Sequence, residues 1–310
     1  MTGPGKPHHD GDGWVECAQG HRHWGRFGAA GLLLHRVAAD GGTELLLQHR
    51  AEWSHHGGTW GLLGGARHHD ETPVATALRE AAEEGGLRPE SALVSGLYVD
   101  DHGGWSYSTA VAAEVGDAEA RPTSAETLEV RWLPANNVGS ELPLHPGFAA
   151  TWPVVRDAIN ALTIVVDAAN VVGSRPDGWW KDRAGAARRL IDDVAAVCTV
   201  GVADKALPDA LARPPLQHWW PNSVVVVEGA ARPAAEPSDG GDATGRVLVL
   251  AAPGGGDDAI VAAVAAAGDG PLIVVTADRE LRARCQTLGA VPVGPSWLRG
   301  LVDAARTTSG

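Results

Sequence analysis

Cysteine is scarce: Cys17, Cys198 and Cys285 are the three in a chain of 310 residues. Odd in number and widely separated, they make no disulfide framework and no paired zinc-ligand motif, and reduced thiols suit a cytoplasmic setting. Long hydrophobic runs are lacking as well. No stretch approaches the roughly eighteen consecutive apolar residues of a membrane span, and the opening MTGPGKPHHDGDG has none of the apolar core of a secretory signal. The expectation is a cytoplasmic protein with no membrane partner. Positive charge is in deficit, with 25 Lys and Arg against 38 Asp and Glu and a net charge of −13. That argues against loose binding to nucleic-acid phosphate, which depends on cations releasing counterions. The deficit is uneven: residues 1–150 carry 10 basic and 20 acidic side chains, and residues 151–310 carry 15 and 18. Only the second half could hold a polyanion unaided.

The length suffices for two cores of ordinary size. The pattern of strands and helices changes near residues 149–161, which divides the chain into a tail over 1–24, expected to be partly disordered, a first domain over 25–148, a linker helix over 149–161 and a second domain over 162–310. In the first domain, strands are expected at 29–35, 43–49, 91–98, 106–115 and 128–133, around one helix. The segment ANNVGSELPLHPGF reads as a loop because turn and breaker residues fill it. From residue 162, short apolar runs (TIVVD, SVVVVE, VLVLA, LIVVT) alternate with helical stretches, the pattern of a buried parallel sheet covered on both faces. Residues 231–245 read as a loop within it.

The helix in the first domain poses a question. Thr72 and Pro73 make a good helix start, and Gly85 with Gly86 a good stop. Between them Glu80, Glu83 and Glu84 share one face and repel. Hard oxygen donors in that arrangement suit Mg²⁺ or Mn²⁺. Gly65, five residues, Glu71, seven residues, Arg79-Glu80, two residues, Glu83-Glu84, one residue, Gly86 and Leu87 resemble the Nudix box at every defined position, and the resemblance extends over about residues 25–145. It implies an α/β/α sandwich with a mixed sheet, and metal-dependent hydrolysis of a nucleoside diphosphate linked to another moiety. It implies that Glu80, Glu83 and Glu84 hold the cation with help from the Gly64 carbonyl, and that Glu71 pairs with Arg79 to hold the loop against the helix. A further carboxylate is expected from the loop before the last strand, Glu129 first and Glu126 second. LLGG replaces the common Pro-Gly-Gly, and Asp70 stands where Gly commonly precedes Glu71. Trp53, Trp60 and Trp105 could stack on a base or simply be packed. His68 and His69 lie in the loop of the box and could touch phosphate. Outside the box, Cys17, His21 and His23 supply ligand atoms at a reachable spacing but lack a fourth partner.

The second half carries its own acids. Asp167 ends TIVVD, Asn170 follows, Asp257 and Asp258 open a helix after a glycine turn, and Asp278 follows LIVVT. At the carboxyl edge of a parallel sheet such acids can meet over a crevice. Each alone is an ordinary cap or turn former. Together, D-x-x-N-V, the Asp pair and V-V-T-x-D resemble the PIN-like NYN ribonuclease domains, over about residues 162–305. That resemblance implies a Rossmann-like three-layer fold and metal-dependent RNA cleavage by Asp167, Asp258 and Asp278, assisted by Asp257 and Asn170, with Glu228 as a fourth acid. WWKDRAGAARR, with Lys181, could bind RNA or pack as an amphipathic helix. Nucleotide hydrolysis with a silent second domain, RNA as substrate, and a homodimer all stay open.

Overall fold

A computed structural model of the protein describes residues 10–140, 142–174, 178–236 and 245–308. The chain forms two compact units, the first running through Ile159 and including Pro214–Gln217, the second holding Asn160–Arg213 and the residues from His218 onward.

The first unit is built on a mixed sheet. Its strands are β1 (Trp14–Glu16), β2 (Arg22–Trp24), β3 (Ala29–Val37), β4 (Thr43–Arg50), β5 (Trp60–Gly61), β6 (Leu63–Ala66), β7 (Ala92–Asp101), β8 (Ser106–Glu114) and β9 (Thr127–Pro134). The main sheet runs β7-β8-β3-β4-β5, with β6 also paired to β3 and β9 to β4. β3 and β8 are parallel, and the other pairings are antiparallel. β3 is the hinge of this arrangement, because residues 29–32 pair with β6 and residues 34–37 with β4 on the same side. Covered on both faces, its Leu32, Leu33 and Leu34 are all buried, which is why this strand reads as an unbroken apolar run. The helix α1 (Pro73–Gly85) packs on β3 and β6. Thr72 caps it by accepting from the Ala75 N–H, and Gly86 ends it at φ 66° while donating to the Ala81 and Ala82 carbonyls, a left-handed stop that favours glycine.

Two expectations change here. Residues 14–24, assigned from sequence to the tail, form the β1–β2 hairpin, in which Trp14 pairs with Trp24 in an edge-to-face contact at 5.6 Å. Residues 1–9 of that tail lie outside the described residues. The stretch ANNVGSELPLHPGF is not wholly loop, since Pro146 opens the helix α2 (Pro146–Val155), followed by a tighter turn over Arg156–Ile159. His145 takes the cap position by accepting from the Gly147 N–H, and Pro fits the first helical position because its missing donor has no partner there.

The second unit holds β10 (Thr163–Asp167), α3 (Ala168–Gly173), α4 (Arg183–Val200), β11 (Val202–Ala203), β12 (His218–Trp219), β13 (Asn222–Val227), β14 (Val247–Ala251), α5 (Gly256–Ala265), β15 (Leu272–Val275), α6 (Arg279–Gln286), β16 (Val291–Val293) and α7 (Pro295–Thr308). β11 and β12 form a short antiparallel ladder. The other five strands make a wholly parallel sheet in the order β14-β13-β10-β15-β16. The chain builds outward from β10 in one direction and then, starting with β15, in the other. Ligands in such sheets bind where the order reverses, here between β10 and β15. Val165, Val226 and Val274 from the sheet pack with Ile260 of α5 and Leu281 and Cys285 of α6. Of the loop expected over 231–245, Gly229–Ala235 forms tight helical turns, and residues 237–244 lie outside the described residues. Among the described residues no helix is long and apolar enough to cross a membrane.

Candidate active site

The repulsion written into α1 is met first by Arg79. Its Nε donates to Glu71 Oε1 at 2.7 Å and its Nη2 to Glu71 Oε2 at 2.9 Å, a two-pronged pairing that fixes the loop before the helix. Nη2 also donates to the Ala66 carbonyl at 2.9 Å, and Nη1 to Glu80 Oε1 at 2.7 Å and Glu83 Oε1 at 3.4 Å. Glu71 further accepts from Thr76 Oγ1 and the His68 N–H. Burial pushes the Glu71 carboxyl up, but the Arg79 bonds, with those from His68 and Thr76, outweigh it and hold the group at about 2.

Glu80 and Glu84 are almost excluded from solvent, at 4% and 1% exposure, while Glu83 is one turn from Arg79 and more open. Glu84 Oε2 accepts from the Gly64 N–H at 2.9 Å and from Gln48 Nε2 at 2.8 Å. Glu80 lies against Gly65: a β-carbon there would come within 2.5 Å of its Oε1, so a side chain at this position would displace the carboxylate. The ligand atoms offered by the Gly64–Gly65 stretch of β6 and the face of α1 are all oxygens, with Glu80 and Glu84 supplying buried carboxylates. That chemistry fits a hard divalent cation.

Two residues at this centre carried no signal strong enough to single them out in the sequence. Gln48 is fully buried in β4, donating also to the Leu62 carbonyl at 2.9 Å and accepting from Thr127 Oγ1 at 2.8 Å. Thr127, at the start of β9, thus reaches Glu84 through Gln48. A lone Gln closing the run LLLQ was the available clue. Tyr107 is the other. Its hydroxyl lies about 3.0 Å from where a β-carbon on Gly64 would be, and burial together with Glu84 and Glu80 pushes its ionisation up.

Other expected site residues fall elsewhere. Glu129 is half-exposed and pairs with Arg131 along its own strand at 3.5 Å. In the β4–β9 ladder Val130 lies opposite Gln48 and Glu129 opposite His49, so strand alternation puts Glu129 on the face away from the one on which Gln48 meets Glu84, and Glu126 precedes the strand. Trp60 is buried, stacked on His49 at 5.0 Å with Arg131 over its ring at 4.7 Å, so packing has consumed the surface a base would need. Trp105 is stacked on His23 at 3.9 Å. Trp53 is exposed, as is Lys181. His68 lies 3.9 Å from Glu71, and His69 bonds to Asp70.

In the second unit the reversal point of the sheet is bridged by side chains. Thr276 Oγ1 donates to Asp167 Oδ2 at 2.9 Å, and the Ala277 N–H to Asn170 Oδ1 at 2.8 Å. Asp167 also caps α3 by accepting from the Asn170 N–H, and Asp278 caps α6 by accepting from the Leu281 N–H. Glu228 accepts from the Gly256 N–H at 2.6 Å at the start of α5. Burial pushes Asp167 up, and Asp257 and Glu228 add to that. Asp257 is likewise pushed up by burial, then by Asp278, Glu228 and Asp258. Asp257, expected only to assist, therefore shares the field of Asp167 and Asp278. Asp258, expected to carry the chemistry, is exposed like Asp257 and bonds to Arg284 at 2.6 Å. Among the described residues, the groups of three or more ligand side chains whose donor atoms all lie within 4.8 Å of one another are Cys17–His21–His23–His102 and His55–His56–His145. Neither includes these acids.

Comparison with known proteins places the first unit. The family model described as NUDIX domain matches residues 30–157. A protein of Mycobacterium tuberculosis named "Putative 8-oxo-dGTP diphosphatase 3" is 50% identical over 157 residues, covering 48% of this chain and 70% of the relative. A "Nucleoside triphosphate pyrophosphatase/Nudix hydrolase fusion protein" of Bifidobacterium longum is 43% identical over 150 residues, covering 47% of this chain and 31% of that one. The crystal structure of the Nudix hydrolase RenU from M. smegmatis is 45% identical, covers 48% of this chain and 94% of its own, and superposes with a TM-score of 0.44. Half-identity to the mycobacterial relative, with the box complete, means that the chain belongs to the Nudix family and that its first unit is a hydrolase of phosphoric anhydrides.

Proposed function

We propose that the first unit hydrolyses the pyrophosphate linkage of a nucleoside di- or triphosphate derivative, with Mg²⁺ or Mn²⁺ held by Glu80, Glu83, Glu84 and the Gly64 carbonyl. The observation that carries this is the pair of buried carboxylates, Glu80 and Glu84, set against the glycines of β6, where Glu84 accepts from the Gly64 N–H and Glu80 occupies the space beside Gly65. The cation supplies neutralisation of the pyrophosphate and acidification of water. The protein's own part is positional. Arg79 clamps Glu71 and steers Glu80, and Gln48 and the Gly64 N–H orient Glu84. Tyr107, kept protonated by its surroundings, is a neutral donor beside these acids. Oxidised purine nucleoside triphosphates head the substrate list because a relative's name refers to 8-oxo-dGTP. The test is a Mg²⁺-dependent screen of 8-oxo-dGTP, dGTP, dinucleoside polyphosphates, sugar nucleotides and 5′-triphosphate RNA. Wild type is expected to release pyrophosphate or phosphate from at least one of them, and Glu83→Gln to lose that activity. Undiminished turnover by Glu83→Gln refutes the assignment.

For the second unit we propose a PIN-like ribonuclease reading, supported by the parallel sheet and by Asp167 at its reversal point, bonded to Thr276 across it and pushed up by burial and by the charges of Asp257 and Glu228. Metal-dependent cleavage of RNA that Asp167→Asn abolishes supports it. Cleavage that survives Asp167→Asn refutes it, and absence of cleavage with every divalent metal leaves a binding module in its place.

A further inference from the structure

We propose that the first unit carries a second metal site, separate from the box, in which Cys17 Sγ and the imidazoles of His21, His23 and His102 bind one Zn²⁺. The four donor atoms all lie within 4.8 Å of one another. Zinc takes thiolate and imidazole ligands at about 2.3 and 2.0–2.1 Å, which sets tetrahedral edges of about 3.5 Å, so closing the site asks for shifts of about 1 Å. One soft sulfur and three nitrogens, without a carboxylate, select Zn²⁺ over the Mg²⁺ or Mn²⁺ suited to the oxygen donors of the box.

Two buried nitrogens of the cluster have nothing to bond. His23 Nε2 and His102 Nδ1 have no hydrogen-bond partner, a costly state for buried polar atoms. The tautomer of His102 is set by its other nitrogen, since Nε2 lies 3.1 Å from Asp100 Oδ2. Donating there leaves Nδ1 with a lone pair, the arrangement in which a carboxylate orients an imidazole for a metal. His23 is held by its stack on Trp105 at 3.9 Å and lies edge-on to His102 at 4.7 Å.

The backbone is built to present these donors. Cys17 and His21 close the β1–β2 turn, where the Cys17 N–H donates to the His21 carbonyl and the Gly20 N–H to the Cys17 carbonyl, both at 2.9 Å. His102 sits in the β7–β8 turn, where its N–H donates to the Trp105 carbonyl at 2.9 Å. The Ala18 N–H donates to the Gly103 carbonyl at 2.8 Å and locks the two turns together. A zinc ion would staple the N-terminal hairpin, whose strands have three residues each, to the main sheet. A two-stranded ribbon that short is not stable alone. Binding replaces the Cys17 thiol proton, which is released to solvent.

The test uses the full chain, stripped of metal and titrated with Co²⁺ and then Zn²⁺ in excess Mg²⁺, so that the box is occupied. Expected are a thiolate-to-cobalt charge-transfer band with strong tetrahedral visible absorption, displaced by one equivalent of Zn²⁺, and a thermal midpoint that rises with Zn²⁺. Cys17→Ser abolishes the thiolate band, His102→Ala loses tight zinc binding, and Asp100→Asn, which touches no metal, weakens affinity by about 10- to 100-fold. The wild-type spectrum does not depend on whether any variant folds. No thiolate band in wild type, a band that survives Cys17→Ser, or full zinc affinity in His102→Ala each overturns the proposal.

Discussion

Replacing Arg79 by Ala tests the electrostatic logic of the box directly. The change removes two short bonds to Glu71 (2.7 and 2.9 Å) and one to Glu80 (2.7 Å), leaving the second carboxylate buried without that cation. Charge-assisted hydrogen bonds contribute about 1.5–3 kcal/mol each, and removing one partner of a buried ion pair costs about 3–5 kcal/mol. The Arg79 and Glu71 side chains are 20% and 19% exposed, so water recovers part of the loss. A destabilisation of about 3 kcal/mol follows, equivalent to roughly 100-fold faster opening of α1. Hydrogen exchange followed by mass spectrometry, in chelator, reads this on peptides over residues 73–86. Arg79→Lys is expected to fall between, because an ammonium cannot make the forked contact. Exchange in α1 within about threefold of wild type, or equal acceleration in α4 of the other unit, refutes the reasoning.

Gly65→Ala puts a β-carbon 2.5 Å from Glu80 Oε1, so hydrolysis is expected to collapse with the fold retained, which steady-state kinetics beside circular dichroism will show. Gln48→Leu leaves the Leu62 carbonyl and Thr127 hydroxyl without their partner and Glu84 with one donor fewer, and kcat is expected to fall by about 10- to 100-fold with little change in KM. Trp60→Ala should cost about 3–5 kcal/mol in denaturant unfolding and leave KM nearly unchanged, the opposite of what a base-stacking residue would do. Burial lowers His35 and His145 from 6.5 to about 4. The unfolded chain therefore binds their protons first. Stability is full above pH 6.5 and falls as pH drops towards 4, by up to about 1.4 kcal/mol per pH unit for each histidine, and His35→Asn should flatten that slope in pH-dependent unfolding.

The helix of the box and its caps were legible because they depend on neighbours in sequence: Thr72, Pro73 and Gly86 act within one turn of the residues they serve. The strand runs were legible for the same reason, and so was the change of pattern near residue 160. Gln48 and His102 were not, since what makes each important is a partner dozens of residues away: Glu84 for one, the Cys17–His21 turn for the other. Trp60 illustrates the converse. An aromatic side chain has the same chemistry in a binding cleft or a core, and only the packing of β4, β5 and β9 assigned it to the core.

The sequence by itself determined the bond-breaking chemistry of the first half, because Gly65-x5-Glu71-x7-Arg79-Glu80-x2-Glu83-Glu84-x-Gly86 sets charges and glycine at spacings that a single turn-and-helix converts into geometry. Tertiary structure decided which acids meet. It bonded Asp258 to Arg284, set Glu129 on the strand face opposite the one that carries Gln48, and gave Cys17, His21 and His23 their fourth partner. Strand facing and the meeting of distant segments settle such choices, and neither is a property of any short stretch of chain.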